Sequence, residues 1–121
     1  GQFSILHKVG ADKNNRVYIC DRENNRIQIF DADGNYLTAW TDLVGPGDIF
    51  FDDDIAYVVE QGGGNGVSIW TLEGELITRW RGNPAANQAA HGGWFDSNRN
   101  LYIAEIGEPG SGQRVTKFSR I

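Results

Sequence analysis

Three stretches decide how this chain folds: His7-Lys-Val-Gly-Ala-Asp12 with Val17-Tyr-Ile-Cys-Asp21, Pro46-Gly-Asp-Ile-Phe-Phe51 with Ala56-Tyr-Val-Val-Glu60, and His91-Gly-Gly-Trp-Phe-Asp96 with Leu101-Tyr-Ile-Ala-Glu105. In each, the leading residue stands 11 positions before a tyrosine, and an acid follows that tyrosine by three. A further β-type run comes next: Arg26-Ile-Gln-Ile-Phe30, Gly66-Val-Ser-Ile-Trp70 and Arg114-Val-Thr-Lys-Phe118. The first two units continue alike. Asp33-Gly34 precedes Tyr36-Leu-Thr-Ala-Trp40, and Glu73-Gly74 precedes Leu76-Ile-Thr-Arg-Trp80. Alternating or β-branched runs set between Gly, Asn and Asp turns read as short antiparallel strands.

The leading positions recur after 39 and 45 residues. Four strands in about 40 residues is the dimension of a propeller blade. The chain therefore reads as all-β: three four-stranded propeller blades, half of a six-bladed ring, in a single domain over residues 1–121. Strands are expected at about 8–12, 16–20, 26–30 and 36–40, then 47–51, 55–59, 66–70 and 76–80, then 91–95, 100–104 and 114–118. Blade 1 covers about 7–40, blade 2 about 46–80 and blade 3 about 91–121. The third unit reaches Ile121 before a fourth strand, which leaves an open sheet edge. The leader Gly1-Gln-Phe-Ser-Ile5 is a candidate to fill that edge, from this chain or from a neighbour.

Propellers close with about 4–8 blades, so three cannot form a ring. A second copy gives six, with the third blade of one chain packed on the first blade of the other in a homodimer. The alternative is that these residues are half of a longer propeller protein.

The balance of 11 Lys and Arg against 16 Asp and Glu gives a net charge of −5. From Ile27 to Thr78 there is no basic residue and there are ten acids. That balance argues against a nucleic-acid or anionic-membrane partner, whose affinity comes from neutralising phosphates. No apolar run approaches the roughly 20 residues that a spanning helix needs. Cys20 is the only cysteine, which rules out an intrachain disulfide and leaves the compartment open.

The run Val17-Tyr-Ile-Cys-Asp-Arg-Glu-Asn-Asn-Arg-Ile-Gln-Ile-Phe-Asp31 resembles the NHL-repeat family of six-bladed propellers. The likeness extends along the chain and is weakest in blade 2, where Gly66 replaces the arginine found as Arg26 and Arg114. Within that family, Gly1-Gln-Phe-Ser4, His7 and Asp21-Arg-Glu-Asn-Asn-Arg-Ile-Gln28 are similar to the later blades of peptidyl-α-hydroxyglycine α-amidating lyase. That resemblance implies a zinc ion held by three channel histidines and cleavage of a peptidyl α-hydroxyglycine to an amide and glyoxylate. His7 and His91 match two of the three histidine positions. The third, with the tyrosine and arginine tied to the chemistry, belongs to an upstream blade, and Gly92 stands where a calcium ligand can follow the last histidine.

Read without the family, His7 and His91 are the only histidines and open the innermost strand of their units. Two copies would bring four imidazoles to one axis, donors suited to Zn²⁺. The alternative is that they cap strands and bond backbone carbonyls. On the same face, Asp21 with Arg26 and Glu105 with Arg114 bracket hairpins and are placed to pair charge, and Glu60 is the acid of blade 2. These five residues are candidates for ligand contact, with a structural pin as the competing reading. Gln61-Gly-Gly-Gly-Asn-Gly66 and Gly107-Glu-Pro-Gly-Ser-Gly112 read as rims, since neither has the lysine or the following helix of a phosphate cradle. Asp52-Asp53-Asp54 reads as a solvated turn, the four tryptophans as packing between blades, and Cys20 as a core residue. The expected function is a propeller half that dimerises and presents a channel-mouth face to a small molecule or peptide. The alternative is a metal-dependent lyase that is incomplete in this chain.

Overall fold

A computed structural model describes residues 2–63, 65–81, 89–107 and 114–119. It contains three antiparallel sheets. The first is β1 (Leu6–Ala11), β2 (Val17–Asp21), β3 (Arg26–Phe30) and β4 (Tyr36–Trp40); the second is β5 (Pro46–Asp52), β6 (Ile55–Glu60), β7 (Gly66–Thr71) and β8 (Leu76–Arg81). The third has, among the described residues, three strands: β9 (Ala89–Phe95), β10 (Leu101–Ile106) and β11 (Arg114–Phe118). Every strand falls within two or three residues of its expected place.

The turns between the first two strands of each blade show why the hairpins form where they do. In blade 1 the Asp12 carboxylate accepts hydrogen bonds from the backbone N–H groups of Asn14 and Arg16, from Arg16 Nε and from the Tyr18 hydroxyl. Asp96 repeats this with Asn98, Asn100 and Tyr102. An Asp six residues before the strand tyrosine thus closes each five-residue turn. Blade 2 lacks that aspartate. Its turn is one residue shorter, with Asp52 paired to Ile55 and Asp53 in the left-handed region at φ 53.

Blade 2 is the middle layer. Tyr18, Cys20, Ile27 and Ile29 of blade 1 pack with Ile49, Ala56, Val58 and Trp70, and Leu43 fills the join. Phe50, Val59 and Val67 on its other face pack with Ala90, Leu101 and Ile103 of blade 3. Trp40 stacks on Trp70 at 5.4 Å and 13°, and Trp80 meets Phe118 at 5.8 Å, so three expected packing tryptophans do bridge blades. Gly74 permits the first stack, because a Cβ there would lie 2.5 Å from Trp40 Nε1. Trp94 is 68% exposed, with its ring 6.5 Å from Phe50 of blade 2.

The Asp52-Asp53-Asp54 turn is not simply solvated. Lys13 of blade 1 pairs with Asp53 and Asp54 at 2.8 and 2.7 Å, and Arg99 of blade 3 pairs with Asp52. The leader packs on blade 1. The Gln2 carbonyl accepts from Asn24 and Arg26, the Ser4 N–H donates to Asp21, and Phe3 lies 6.3 Å from Phe30. Ser4 with Asp21 repeats Val44 with Glu60, whose N–H and carboxylate meet at 3.1 Å. Among the described residues no helix is long and apolar enough to cross a membrane.

Candidate functional site

The pairing register corrects the repeat at its most informative position. Leu6, Pro46 and Ala90 pair with the strand acids Asp21, Glu60 and Glu105, while Lys8, Asp48 and Gly92 pair with Cys20, Val59 and Ala104. A β-bulge lies between in each blade, and its unpaired residue is His7, Gly47 or His91. Counting back from the tyrosine put Pro46 in line with the histidines. The short turn of blade 2 shifts the structural equivalent to Gly47. A bulge frees one side chain from the ladder and re-aims it. Here the two imidazoles converge, with ring centroids 5.7 Å apart at 70°.

His7 Nδ1 lies 2.6 Å from the Gly47 carbonyl. A carbonyl only accepts, so Nδ1 carries a proton, and Nε2 is the nitrogen that holds the lone pair in the neutral ring. The side-chain space at Gly47 is taken, since a Cβ there would overlap the Gln61 amide. Gln61 Oε1 accepts from Arg22 at 3.2 Å and its Nε2 donates to the His91 carbonyl at 3.4 Å. Gln61, read in the sequence as the start of a rim, thus joins all three blades. Only the bulge register discloses its role.

Beside this group lies a cleft of about 500 Å³ bordered by Arg22, Asn25, Gly45, Gln61, Asn65 and His91, with Val44, Ala90 and Ile106 as its apolar part. The buried Asn65 Oδ1 has no hydrogen-bond partner among the described residues. Of the two glycine-rich rims, Gly64 and residues 108–112 lie outside the described residues.

The strand acids sit deeper than the cleft. Asp21 is fully buried and accepts from Ser4 N–H, Asn24, Gln28 and Arg26, the last at 2.7 Å. Burial pushes its carboxyl up, and these hydrogen bonds outweigh burial and hold it below the usual range. Glu105 behaves alike, with burial opposed by hydrogen bonds from Arg114 at 2.5 Å and Thr116 at 2.7 Å. Glu60 accepts from Val44 N–H and from Arg79 at 2.8 Å. Arg79, missed in the sequence, comes from β8, opposite Ser68, in place of a β7 arginine. The Asp21–Arg26, Glu60–Arg79 and Glu105–Arg114 pairs thus stay within their own blades.

Further along the inner strands, Asp48 accepts from Gly93 N–H through Oδ2, and its Oδ1 faces the Lys8 ammonium at 3.4 Å. Burial, followed by the Asp48 charge, pushes the Cys20 thiol up to about 12, which makes it a poor nucleophile. Among the described residues no group of three or more His, Cys, Asp or Glu side chains is placed to hold a metal ion. Two imidazoles with Gly47 at the third bulge do not make up a three-histidine zinc set within one chain.

Comparison with known proteins agrees with the blade architecture. The NHL repeat model matches residues 3–30. The chain is 40% identical over 62 residues to human NHL repeat-containing protein 3 and 39% identical over 62 residues to its mouse counterpart, in each case covering 48% of this chain and 18% of the relative. Over 28 residues, 23% of this chain and 2% of the relative, it is 54% identical to Protein lin-41 of Caenorhabditis elegans. Among solved structures, a structural genomics protein of unknown function from Bacteroides thetaiotaomicron VPI-5482 superposes with a TM-score of 0.67 at 18% identity. That match covers 96% of this chain and 32% of the other, so it speaks for the fold alone. The repeat match lies in the first sheet, and the sheets after it share its form: residues 3–30 carry an NHL repeat.

Proposed function

We propose that this chain is half of a six-bladed ring, completed by a second copy, whose channel-mouth face binds a small molecule or peptide. The observation that carries the reading is the conjunction at the three bulges. His7 and His91 are turned out of their ladders beside a cleft of about 500 Å³, and Gln61 ties the three blades together at its floor. Backbone and carboxamide groups there offer both donors and acceptors, beside a small apolar wall. Such a mixture suits a polar ligand held in one orientation. The end faces support the ring. Tyr102 and Ala104 of blade 3 are the equivalents of Tyr18 and Cys20, which are buried against blade 2, and Val17 and Ile19 of blade 1 are the equivalents of Ala56 and Val58, buried against blade 1. The two end faces of one chain are thus the two halves of an interface that the chain already builds internally.

Titration of short peptides and small polar metabolites into ¹⁵N-labelled protein tests the site. Shifts centred on Arg22, Asn25, Gly45, Gln61 and His91 are expected. Shifts confined to other surfaces would overturn it.

A second reading rests on the His7 tautomer, since an Nε2 lone pair with a carbonyl-bound Nδ1–H is the form a metal ligand takes. Residues 1–121 supply two imidazoles, so a zinc site draws its further ligands from outside them, which in this reading means the second copy. Zinc retained by the wild type and lost in His91→Ala favours this reading. No retention in either removes it, together with the lyase alternative.

A further inference from the structure

The inner strands pack by a rule of size that one chain leaves unfinished. Gly10, Phe50 and Trp94 are equivalent, each paired with the tyrosine of its blade: Tyr18, Tyr57 and Tyr102. Val9, Ile49 and Gly93 form the row on one side, Ala11, Phe51 and Phe95 the row on the other. At each internal join, one residue of the middle row meets the two flanking residues of the next blade.

Between blades 1 and 2, small meets large: a Cβ on Gly10 would lie 3.1 Å from the Phe51 ring and 3.2 Å from Ile49. Between blades 2 and 3 the sizes are exchanged. Phe50 stands over Gly93, where a Cβ would come 2.7 Å from its ring, and meets Phe95 at 5.5 Å. The remaining terms are Trp94 of blade 3 and Val9 with Ala11 of blade 1. Trp94 is 68% exposed with its ring 6.5 Å from Phe50, Val9 is 60% exposed, and Ala11 is exposed too. A large knob and a floor of small residues are left over on the inner strands of the first and third blades.

We propose that Trp94 of one chain seats on Val9 and Ala11 of a second copy, continuing the series Gly10 on Phe51, Phe50 on Gly93. The inference rests on the ring reading above and names its closing contact. Within one chain Trp94, Val9 and Ala11 border a common groove of about 300 Å³, yet Trp94 and Val9 stay largely exposed, so contact in cis does not satisfy them. Large aromatics buried at the centre of an interface are its usual anchors.

The test is a size exchange read as the dissociation constant of the dimer, from light scattering over a dilution series. Ala11→Phe is expected to weaken association about thirtyfold, as is Trp94→Gly. The double variant recreates the Gly10–Phe51 pairing across the interface and is expected to return to within about threefold of wild type. Circular dichroism confirms that each variant keeps its sheets, and rescue by the second substitution separates a lost contact from a misfolded chain. A wild-type dimer indifferent to both single changes would overturn the knob while leaving the ring reading standing. Additive losses in the double variant would overturn it likewise. A wild-type monomer at every concentration would overturn both.

Discussion

Replacing Gly66 by arginine would restore in blade 2 the residue that blades 1 and 3 carry as Arg26 and Arg114, and it is expected to weaken the fold. A Cβ at Gly66 would overlap the Trp80 carbonyl oxygen and lie 2.8 Å from Arg81 Cα. Both are backbone atoms of the paired strand β8, so no rotamer change relieves the overlap, and the strands must part where Gly66 pairs with Arg81. Overpacking of this kind costs about 1–3 kcal/mol. The charge adds to it, because Glu60 already holds Arg79 at 2.8 Å and Arg81 at 3.7 Å, and a third guanidinium finds no free partner there. A loss of about 3 kcal/mol, with a urea dependence of about 2 kcal/mol per molar, lowers the unfolding midpoint by about 1.5 M. Equilibrium urea unfolding followed by tryptophan fluorescence reads this directly. Gly66→Ala, with the overlap but without the charge, is expected to lose about 2 kcal/mol. An unchanged or raised midpoint for Gly66→Arg would refute the close approach of β7 and β8, and with it the account of why blade 2 takes its clamp from β8.

Other outcomes follow from the same geometry. Glu60→Ala leaves the Arg79 guanidinium and the Val44 N–H without their buried partner and should cost about 3–5 kcal/mol in thermal or urea unfolding. A loss below about 1 kcal/mol would show that the pair is solvated. Asp12, Asp21, Asp96 and Glu105 are all held below their ordinary carboxyl range. Hydrogen bonds from Asn100 dominate for Asp96, which falls to about 2, while in the other three burial is outweighed by hydrogen bonds. A depressed folded pKa contributes stability above the unfolded value that disappears as pH falls through the folded one. The unfolding midpoint should therefore hold steady down to about pH 5 and fall between about pH 4 and 2, with a shallower fall in Asp96→Asn. A midpoint that falls above pH 5 would assign acid sensitivity to other groups. Cys20 should resist iodoacetamide at pH 8 in the folded chain and react on addition of urea, because its thiol is buried and raised to about 12. Rapid labelling in the folded chain would place the thiol at the surface.

The sheets were legible because the repeat states them more than once. Strand tyrosines, following acids and glycine turns recur in Tyr18, Tyr57 and Tyr102, and eleven strands appear near their expected positions. The site was only half legible. His7 and His91 could be seen to correspond, but the residue between them in the series could not, because a one-residue difference in turn length moves the register from Pro46 to Gly47. Sequence spacing measures distance along the chain, whereas a bulge is a property of two strands together. Gln61 and Arg79 were hidden for the same reason, since each supplies a group that another blade takes from a different strand. The Asp12 and Asp96 clamps were in plain view as an aspartate six residues before a tyrosine, and blade 2 obscured them by having Phe51 there. Trp94 illustrates the opposite case. Its strand position was readable, but its 68% exposure is set by what packs beside the strand and not by the strand pattern.

Sedimentation equilibrium of the chain at micromolar concentration tests the ring most directly. Two end faces that are each half of an internal blade interface predict twice the 13.4 kDa mass of one chain. A single species of 13.4 kDa throughout the concentration range would contradict it.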